Sequence, residues 1–208
     1  MKTEKIRVLL ADDHAVVRMG LVTMLERTSD IEVVAEAGNG IKAVAEAVRL
    51  APDVAVIDLV MPKKDGIAAT EEIHRKMPGV KILILTSFGT SEEISRAFAA
   101  GAGGAVLKSA ATSELVNAIR QIASGKRPLS PDIANMMAND PPTQELSPRQ
   151  REILESITRG LTNNQIATQF GISPESVKTH INKLFEKIGA SNRSEAVTIA
   201  LRKHLLKI

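Results

Sequence analysis

The sequence predicts a doubly wound α/β domain with a five-stranded parallel sheet, followed by a small all-α domain. Over the first 125 residues, short apolar runs rich in Val, Ile and Leu alternate with helix-like stretches. Continuous apolar strands between helices are typical of a parallel sheet that is covered on both faces. From Ser147 onward, closely spaced helix-start signals replace this alternation. Two domains of different class follow from this change.

Five strand patterns and five helix patterns make up the predicted domain 1–125. The strand patterns cover roughly residues 6–11, 31–36, 54–58, 80–86 and 104–107, and the helix patterns cover roughly 14–28, 40–50, 66–77, 91–101 and 112–124. Residues 126–145 contain four prolines and no sustained apolar period, which predicts a linker. Within it, 132–139 suits a short helix and 140–143 is the most linker-like stretch.

Residues 146–208 carry the signals of four short helices. Three glycines stand where helices would end, at Gly160, Gly171 and Gly189. The start signals are two capping boxes, a serine cap before a proline, and an asparagine followed three residues later by glutamate: Ser147 with Gln150, Thr162 with Gln165, Ser173 before Pro174, and Asn192 with Glu195.

Charge is distributed unevenly between these parts. Residues 1–125 and 126–146 each carry a net charge of −1, whereas residues 147–208 carry +5, giving +3 in total. Excess positive charge suits an anionic partner for the C-terminal part, although ordinary scatter of surface lysines explains the charge equally well. The absence of cysteine excludes structural disulfides and thiolate metal sites. Lacking a signal peptide and a membrane span, the sequence predicts a cytoplasmic protein without membrane contact.

Four of the predicted strands end in polar residues of complementary kinds. The first runs into Asp12 and Asp13, the third into Asp58, the fourth into Thr86 and the fifth into Lys108. Ligands of open parallel sheets bind beyond the carboxyl ends of the strands, so these groups are expected in one crevice. Carboxylates suit Mg²⁺, an aspartate can attack phosphorus, and an ammonium and a hydroxyl can hold phosphoryl oxygens. Taken singly, each of these residues would be an ordinary cap, turn or surface residue.

The helical part contains the pattern of a helix-turn-helix motif. Ala167, Gly171 and Val177 stand where that motif needs a small packing residue, a turn glycine and an apolar anchor. The second helix, from Pro174 to about Ile188, has an apolar stripe on one face. Polar residues on the other face are able to reach base edges and phosphates in a major groove: Lys178, Thr179 and Asn182, flanked by His180 and Lys183. Lys187 and Arg193 are candidate contacts to backbone phosphates.

Residues 5–125 resemble the receiver domain of a two-component response regulator. The matching stretches are Leu10–His14, Asp58–Gly66, Leu85–Ser87 and Leu107–Lys108. The resemblance implies that Asp58 is the phospho-acceptor, that Thr86 is the switch hydroxyl and that Lys108 binds the phosphate. It also implies a Mg²⁺ site formed by Asp12, Asp13, Asp58 and the main-chain carbonyl of Val60, and a sensor histidine kinase or a small phosphodonor as the donor.

Residues 146–207 resemble the LuxR-type helix-turn-helix domain, through Leu146–Leu154, Gly160–Ala167 and Val177–His180. A receiver joined to this domain is similar to NarL/FixJ-type response regulators. The resemblance implies a transcription regulator rather than an enzyme, base reading by Lys178, Thr179 and Asn182, and a homodimer when phosphorylated. Gln150 and Gln165 stand where this family often has glutamate.

One departure from the receiver pattern keeps a second interpretation open. Receivers usually carry Tyr or Phe three residues before the lysine, where this chain has Ala105. Phe88 is a candidate substitute for that ring. The alternative is therefore a DNA-binding regulator whose receiver is never phosphorylated and serves only for dimerisation. A phosphatase with an aspartyl-phosphate intermediate is less consistent with the sequence, because Val60 stands where such enzymes carry a second aspartate.

Overall fold

The structure is a computed structural model that describes residues 5–87, 89–140, 146–203 and 205–206. The chain divides into two compact units, Met1–Pro141 and Pro142–Ile208. The first is an α/β unit with a five-stranded sheet and the second is helical, so the predicted fold class is confirmed. In the described residues, no helix combines the length and apolar character needed to cross a membrane.

The first unit alternates strands and helices in chain order. Its elements are β1 (Ile6–Ala11), α1 (Ala15–Glu26), β2 (Ile31–Ala37), α2 (Gly40–Leu50), β3 (Val54–Ile57), α3 (Gly66–Lys76), β4 (Lys81–Thr86), α4 (Ser91–Ala99), β5 (Gly104–Leu107), α5 (Thr112–Ala123) and α6 (Pro131–Asn139). The strand order is β2-β1-β3-β4-β5 and all neighbours are parallel. The order changes direction at β1 and β3, the position where such sheets bind their ligands.

Both faces of the sheet are buried in apolar cores. Ile57 and Ile84 belong to the core that includes residues of α2, α3 and α4, whereas Val56 and Leu83 belong to the core that includes residues of α1 and α5. Successive side chains of a strand point to opposite faces, so the central residues of β3 and β4, which are buried on both sides, are apolar. At these two strands, the buried polar groups stand at the carboxyl ends, as Asp58 and Thr86 do.

The second unit consists of α7 (Pro148–Thr158), α8 (Asn163–Phe170), α9 (Pro174–Ile188) and α10 (Arg193–Arg202). Side chains of Ser147, Thr162, Ser173 and Asn192 each accept a hydrogen bond from the N–H three residues later, so the four predicted caps are present. Gly171 and Gly189 end α8 and α9 with φ values of 63° and 73°, which favour glycine.

Part of the segment predicted as a linker, 126–145, belongs to the first unit. Leu129 forms a parallel bridge with Ala105 of β5, and the helix expected at 132–139 is present as α6. Residues 141–145, which include most of the stretch predicted to be most linker-like, lie outside the described residues. The domain boundaries 1–125, 126–145 and 146–208 stay predictions.

Candidate functional site

An ammonium shared by two buried carboxylates lies at the centre of the strand-end crevice. Asp12 follows β1 and Asp58 follows β3, and these two side chains are 1% and 5% exposed. The Asp58 N–H donates to the carbonyl of Ala11 over 2.9 Å, which fixes the two strand ends side by side. Lys108, which follows β5, places its Nζ 2.6 Å from Oδ2 of each aspartate.

The electrostatics of this group favour an added cation. Burial, together with the charge of Asp12, raises the pKa of Asp58 despite the hydrogen bond and charge of Lys108. Burial also acts to lower the pKa of Lys108, but the hydrogen bonds and charges of Asp12 and Asp58 outweigh it and raise that pKa. Lys108 therefore stays protonated, while the negative charge of Asp58 is incompletely compensated.

Four potential ligand groups converge beside this ion pair. One ligand atom from each of Asp12, Asp13, His14 and Asp58 lies within 4.8 Å of the others. Three carboxylates against one ammonium leave excess negative charge, and carboxylate oxygens are the ligands that hard divalent cations prefer. The residues present therefore fit a divalent cation, as the sequence predicted for the three aspartates.

Two residues at this end of the sheet were missed by the sequence prediction. Nδ1 of His14 lies 2.7 Å from Oδ1 of Asp13, and the His14 N–H donates to Oδ1 of Asp12 over 2.8 Å. On α1, Arg18 donates from Nη1 to the main-chain carbonyl of Asp12 over 2.7 Å and forms an ion pair with Glu36. No local pattern marks Arg18 in the sequence, because the carbonyl that it contacts is positioned only by the folded structure.

The loop after Asp58 is held close to the carboxylate of that residue. The Val60 N–H donates to Oδ1 of Asp58 over 3.4 Å, whereas the Val60 side chain is exposed. At Gly66 a Cβ atom would lie 2.0 Å from the carbonyl oxygen of Asp58, so only glycine allows this approach.

The same loop is joined to α3 by an ion pair. Lys64 lies 2.6 Å from the carboxylate of Glu72 on that helix. Hydrogen bonds from Lys64 and Lys76 lower the pKa of Glu72 to about 2.

Thr86 is buried at the end of β4 and is tied to the site through its main chain. Its carbonyl accepts a 2.8 Å hydrogen bond from the N–H of Lys108. The structure thus brings together Asp12, Asp13, Asp58 and Lys108, with Thr86 on the adjoining strand end. Phe88, the candidate substitute for the missing ring, lies outside the described residues.

The second unit presents the polar face predicted for the second helix of the motif. The apolar stripe of α9 is buried: Val177, Ile181, Leu184 and Ile188. The four candidate DNA-contacting side chains on this helix are all exposed: Lys178, Thr179, Asn182 and Lys183. The Thr179 hydroxyl donates to the carbonyl of Glu175 over 3.1 Å.

Two basic residues predicted as phosphate contacts make hydrogen bonds within the second unit. Nζ of Lys187 donates to Oε1 of Gln150 over 3.3 Å. The guanidinium of Arg193 donates to the carbonyls of Ile157 and Leu161, on either side of the turn between α7 and α8. Arg193 therefore joins α10 to this turn, a structural task that the sequence did not reveal.

A parallel α/β unit with acidic, hydroxyl and ammonium groups at its strand ends, followed by a helix-turn-helix unit, defines the class of response regulators. Residues 8–120 match the response regulator receiver domain, and residues 144–200 match the bacterial regulatory proteins of the luxR family. The chain belongs to the response regulators that combine a receiver with a LuxR-type DNA-binding domain.

Relatives and solved structures agree with this assignment over nearly the whole chain. The transcriptional regulatory protein LiaR of Bacillus subtilis is 40% identical, covering 97% of this chain and 99% of its own. VraR of Staphylococcus aureus is 35% identical with the same coverage. Response regulator ChrA of a heme-sensing two-component system is 41% identical with a TM-score of 0.57, covering 97% and 99%. The protein described here is a DNA-binding transcriptional response regulator of a two-component system.

Solved structures also include a relative bound to DNA. RcsB of Salmonella enterica serovar Typhimurium, bound to a promoter in the presence of a phosphomimetic, is 25% identical with a TM-score of 0.72. The match covers 97% of this chain and all of that one (100%).

Proposed function

We propose that Asp58 accepts a phosphoryl group and that this modification controls DNA recognition by α9. The observation that carries the proposal is the Lys108 ammonium, which lies 2.6 Å from both Asp12 and Asp58. A carboxylate oxygen of Asp58 attacks phosphorus, and the bond between phosphorus and the donor breaks. The donor is a sensor histidine kinase or a small phosphodonor. Lys108 then offsets negative charge on the phosphoryl oxygens, and the Thr86 hydroxyl donates to one of them.

Mg²⁺ is the cofactor we propose for this step. Asp12, Asp13, Asp58 and the main-chain carbonyl of Val60 would hold it, with water completing the coordination. When bound, the ion would supply positive charge next to the transferring group. The excess of three carboxylates over one ammonium supports this assignment. The function then lies in signalling rather than catalytic turnover, in the cytoplasm where DNA is available.

Intact-protein mass spectrometry tests the acceptor. Incubation of the full chain with Mg²⁺ and a small acyl phosphate should add the mass of one phosphoryl group to the wild type and none to Asp58→Ala. Glu71→Ala is the matched control, because Glu71 is an exposed carboxylate on α3. Phosphorylation of Asp58→Ala to the same extent as the wild type would refute the assignment of Asp58.

We propose that Lys178, Thr179 and Asn182 read base edges and that Lys183 contacts phosphate. The support is their shared exposure on α9 opposite its buried stripe. Selection of genomic fragments by the wild type first defines an operator. Removing both Lys178 and Asn182 should abolish the preference for that operator. Lys183→Ala should instead lower the affinity for all DNA sequences to the same extent. Lys42→Ala, an exposed lysine of the first unit, is the charge-matched control. An unchanged preference in the double variant would refute the base-reading assignment.

A homodimer completes the proposal. Val16 and Met19 of α1 are 79% and 64% exposed, which is unusual for apolar side chains in neighbouring turns of one helix. A second copy that covers this face upon phosphorylation would pair two α9 helices on a two-part operator. Sedimentation with and without phosphodonor measures the oligomeric state. Met19→Glu should keep the phosphorylated protein monomeric. A monomeric wild type after complete phosphorylation would refute dimer formation.

The alternative function, a DNA-binding regulator that is never phosphorylated, rests on Ala105 and predicts a different binding result. It expects equal operator binding with and without phosphodonor in the wild type. The same mass and binding measurements therefore separate the two functions.

A further inference from the structure

The segment 128–139 is bound to the first unit at the strand where receivers usually carry an aromatic ring. The Ala105 N–H donates to the carbonyl of Pro128, and the Ser130 N–H donates to the carbonyl of Ala105, each over 3.0 Å. The small residues of β5 permit this approach, since a Cβ at Gly104 would lie 2.5 Å from the Pro128 carbonyl oxygen. The segment therefore occupies the outer edge of the sheet.

One large side chain anchors α6 to this edge. Ile133 is 1% exposed and lies in the same apolar core as Ile94 of α4 and Ala105 of β5. Met136 and Met137 pack against that core from the same helix. Ala105 is fully buried, so a bulky ring at position 105 would compete for space with the residues around it.

A short path connects this anchor to Thr86. A Cβ built at Gly89 would lie 3.4 Å from Cγ2 of Thr86 and 3.3 Å from Cδ1 of Ile94, so both side chains lie next to Gly89. Ile94 in turn shares the core of Ile133. Movement of Thr86 toward a phosphoryl group on Asp58 would open space beside Gly89, into which Ile94 and α4 can shift.

The bound state also carries a cost. The Ser130 hydroxyl is buried, and within the described part of the chain it has no hydrogen-bond partner. Burying an unsatisfied hydroxyl disfavours the bound state relative to one in which water reaches that oxygen. Two main-chain hydrogen bonds and the packing of Ile133, Met136 and Met137 hold the attachment, and the buried Ser130 hydroxyl opposes it, which suits a reversible contact.

We propose that α6 is an intramolecular latch on β5 and α4, and that phosphorylation of Asp58 releases it through Thr86 and Ile94. The latch takes the place of the absent aromatic ring as the reporter of Thr86. Release frees the segment 128–139 and lengthens the tether to the second unit, each residue adding up to about 3.5 Å of reach. This inference rests on the proposed phosphorylation of Asp58.

The absence of cysteine from the chain gives a direct test, because an introduced thiol is unique. Ile133→Cys places the thiol at the buried anchor, and its rate of modification by a maleimide reports release. We expect acceleration by about tenfold or more with Mg²⁺ and an acyl phosphate, the size of a typical coupling between sites. Ala134→Cys, exposed on the same helix, should react fast in both states. Ala118→Cys, buried on α5, should react slowly in both.

Because Ile133→Cys removes part of the buried anchor, it also weakens the attachment of α6. Hydrogen exchange of the unsubstituted protein therefore provides an independent measurement of release. Amides of residues 128–139 and of Ala105 should lose protection by about tenfold on phosphorylation. Ser130→Ala, which removes the unsatisfied hydroxyl, should slow release in both states. A phosphoryl mass gain without acceleration or loss of protection would overturn the latch and leave the phospho-acceptor assignment intact. No mass gain in the wild type would overturn the acceptor assignment, and the latch with it.

Discussion

Replacing Lys108 by Met removes the ammonium that Asp12 and Asp58 share and leaves two buried carboxylates side by side. Both contacts are 2.6 Å long, and the three side chains are 11%, 1% and 5% exposed. Removing one partner of a buried ion pair costs about 3–5 kcal/mol. We therefore expect the free energy of unfolding of the first unit to fall by about that amount near pH 8.

The loss in the free energy of unfolding caused by Lys108→Met should be smaller at low pH. Burial already raises the pKa of Asp58, and without Lys108 that effect is less opposed, so the pKa rises further. A carboxyl group whose folded pKa lies above its unfolded value binds more protons in the folded state. Stability is then lost as pH rises between the two values. The cost of Lys108→Met should be small near the unfolded pKa, about pH 4, and complete above the raised pKa of Asp58.

Hydrogen exchange measured by mass spectrometry is the suitable assay, since the chain has no Trp or Tyr for intrinsic fluorescence. Protection of β1 and β3 amides should fall about 150- to 5000-fold near pH 8, which corresponds to the expected loss of about 3–5 kcal/mol. Amides of α7 to α10 provide an internal reference, and Lys42→Met is the surface control. Equal losses of amide protection at about pH 5 and about pH 8 would refute the reasoning. They would mean that Lys108→Met does not leave a buried carboxylate without a positive partner.

Further predictions concern the loop after Asp58 and the interior of the second unit. Gly66→Ala should destabilise the first unit by about 1–3 kcal/mol and slow phosphorylation, because its Cβ would lie 2.0 Å from the Asp58 carbonyl oxygen. Gly79→Ala, with open space at its Cβ, should leave both unchanged, and equal effects of the two changes would contradict the explanation. Arg193→Ala should lower the free energy of unfolding of the second unit by about 1–3 kcal/mol, because the Leu161 carbonyl loses its Arg193 donor, whereas the Ile157 carbonyl still accepts from the N–H of Gly160. Lys183→Ala should instead reduce DNA affinity at unchanged stability, and a binding loss without destabilisation in Arg193→Ala would show that Arg193 contacts DNA.

The sequence was sufficient for features that depend on local patterns. Each strand contains a short apolar run, and each helix of the second unit begins at a capping residue, so both could be located without tertiary information. The meeting of Asp12, Asp58 and Lys108 also followed, because parallel strands bring their carboxyl ends to one edge.

Features that depend on long side chains or on single anchors could not be found in this way. Arg18 and Arg193 act on main-chain carbonyls that are fixed only by the folded structure. The sequence of the segment around α6 is typical of a linker because it is rich in proline and has no sustained apolar period. Its attachment depends on the small residues at positions 104 and 105, whose effect appears only when β5 lies at the sheet edge.

Operator affinity of the full chain before and after phosphorylation tests the central claim most directly. The claim is that a phosphoryl group on Asp58 controls recognition by α9. It predicts an increase in affinity of about tenfold or more for the wild type with Mg²⁺ and an acyl phosphate, and no increase for Asp58→Ala. Equal affinities of the phosphorylated and unphosphorylated wild type, with phosphorylation established by mass, would contradict it.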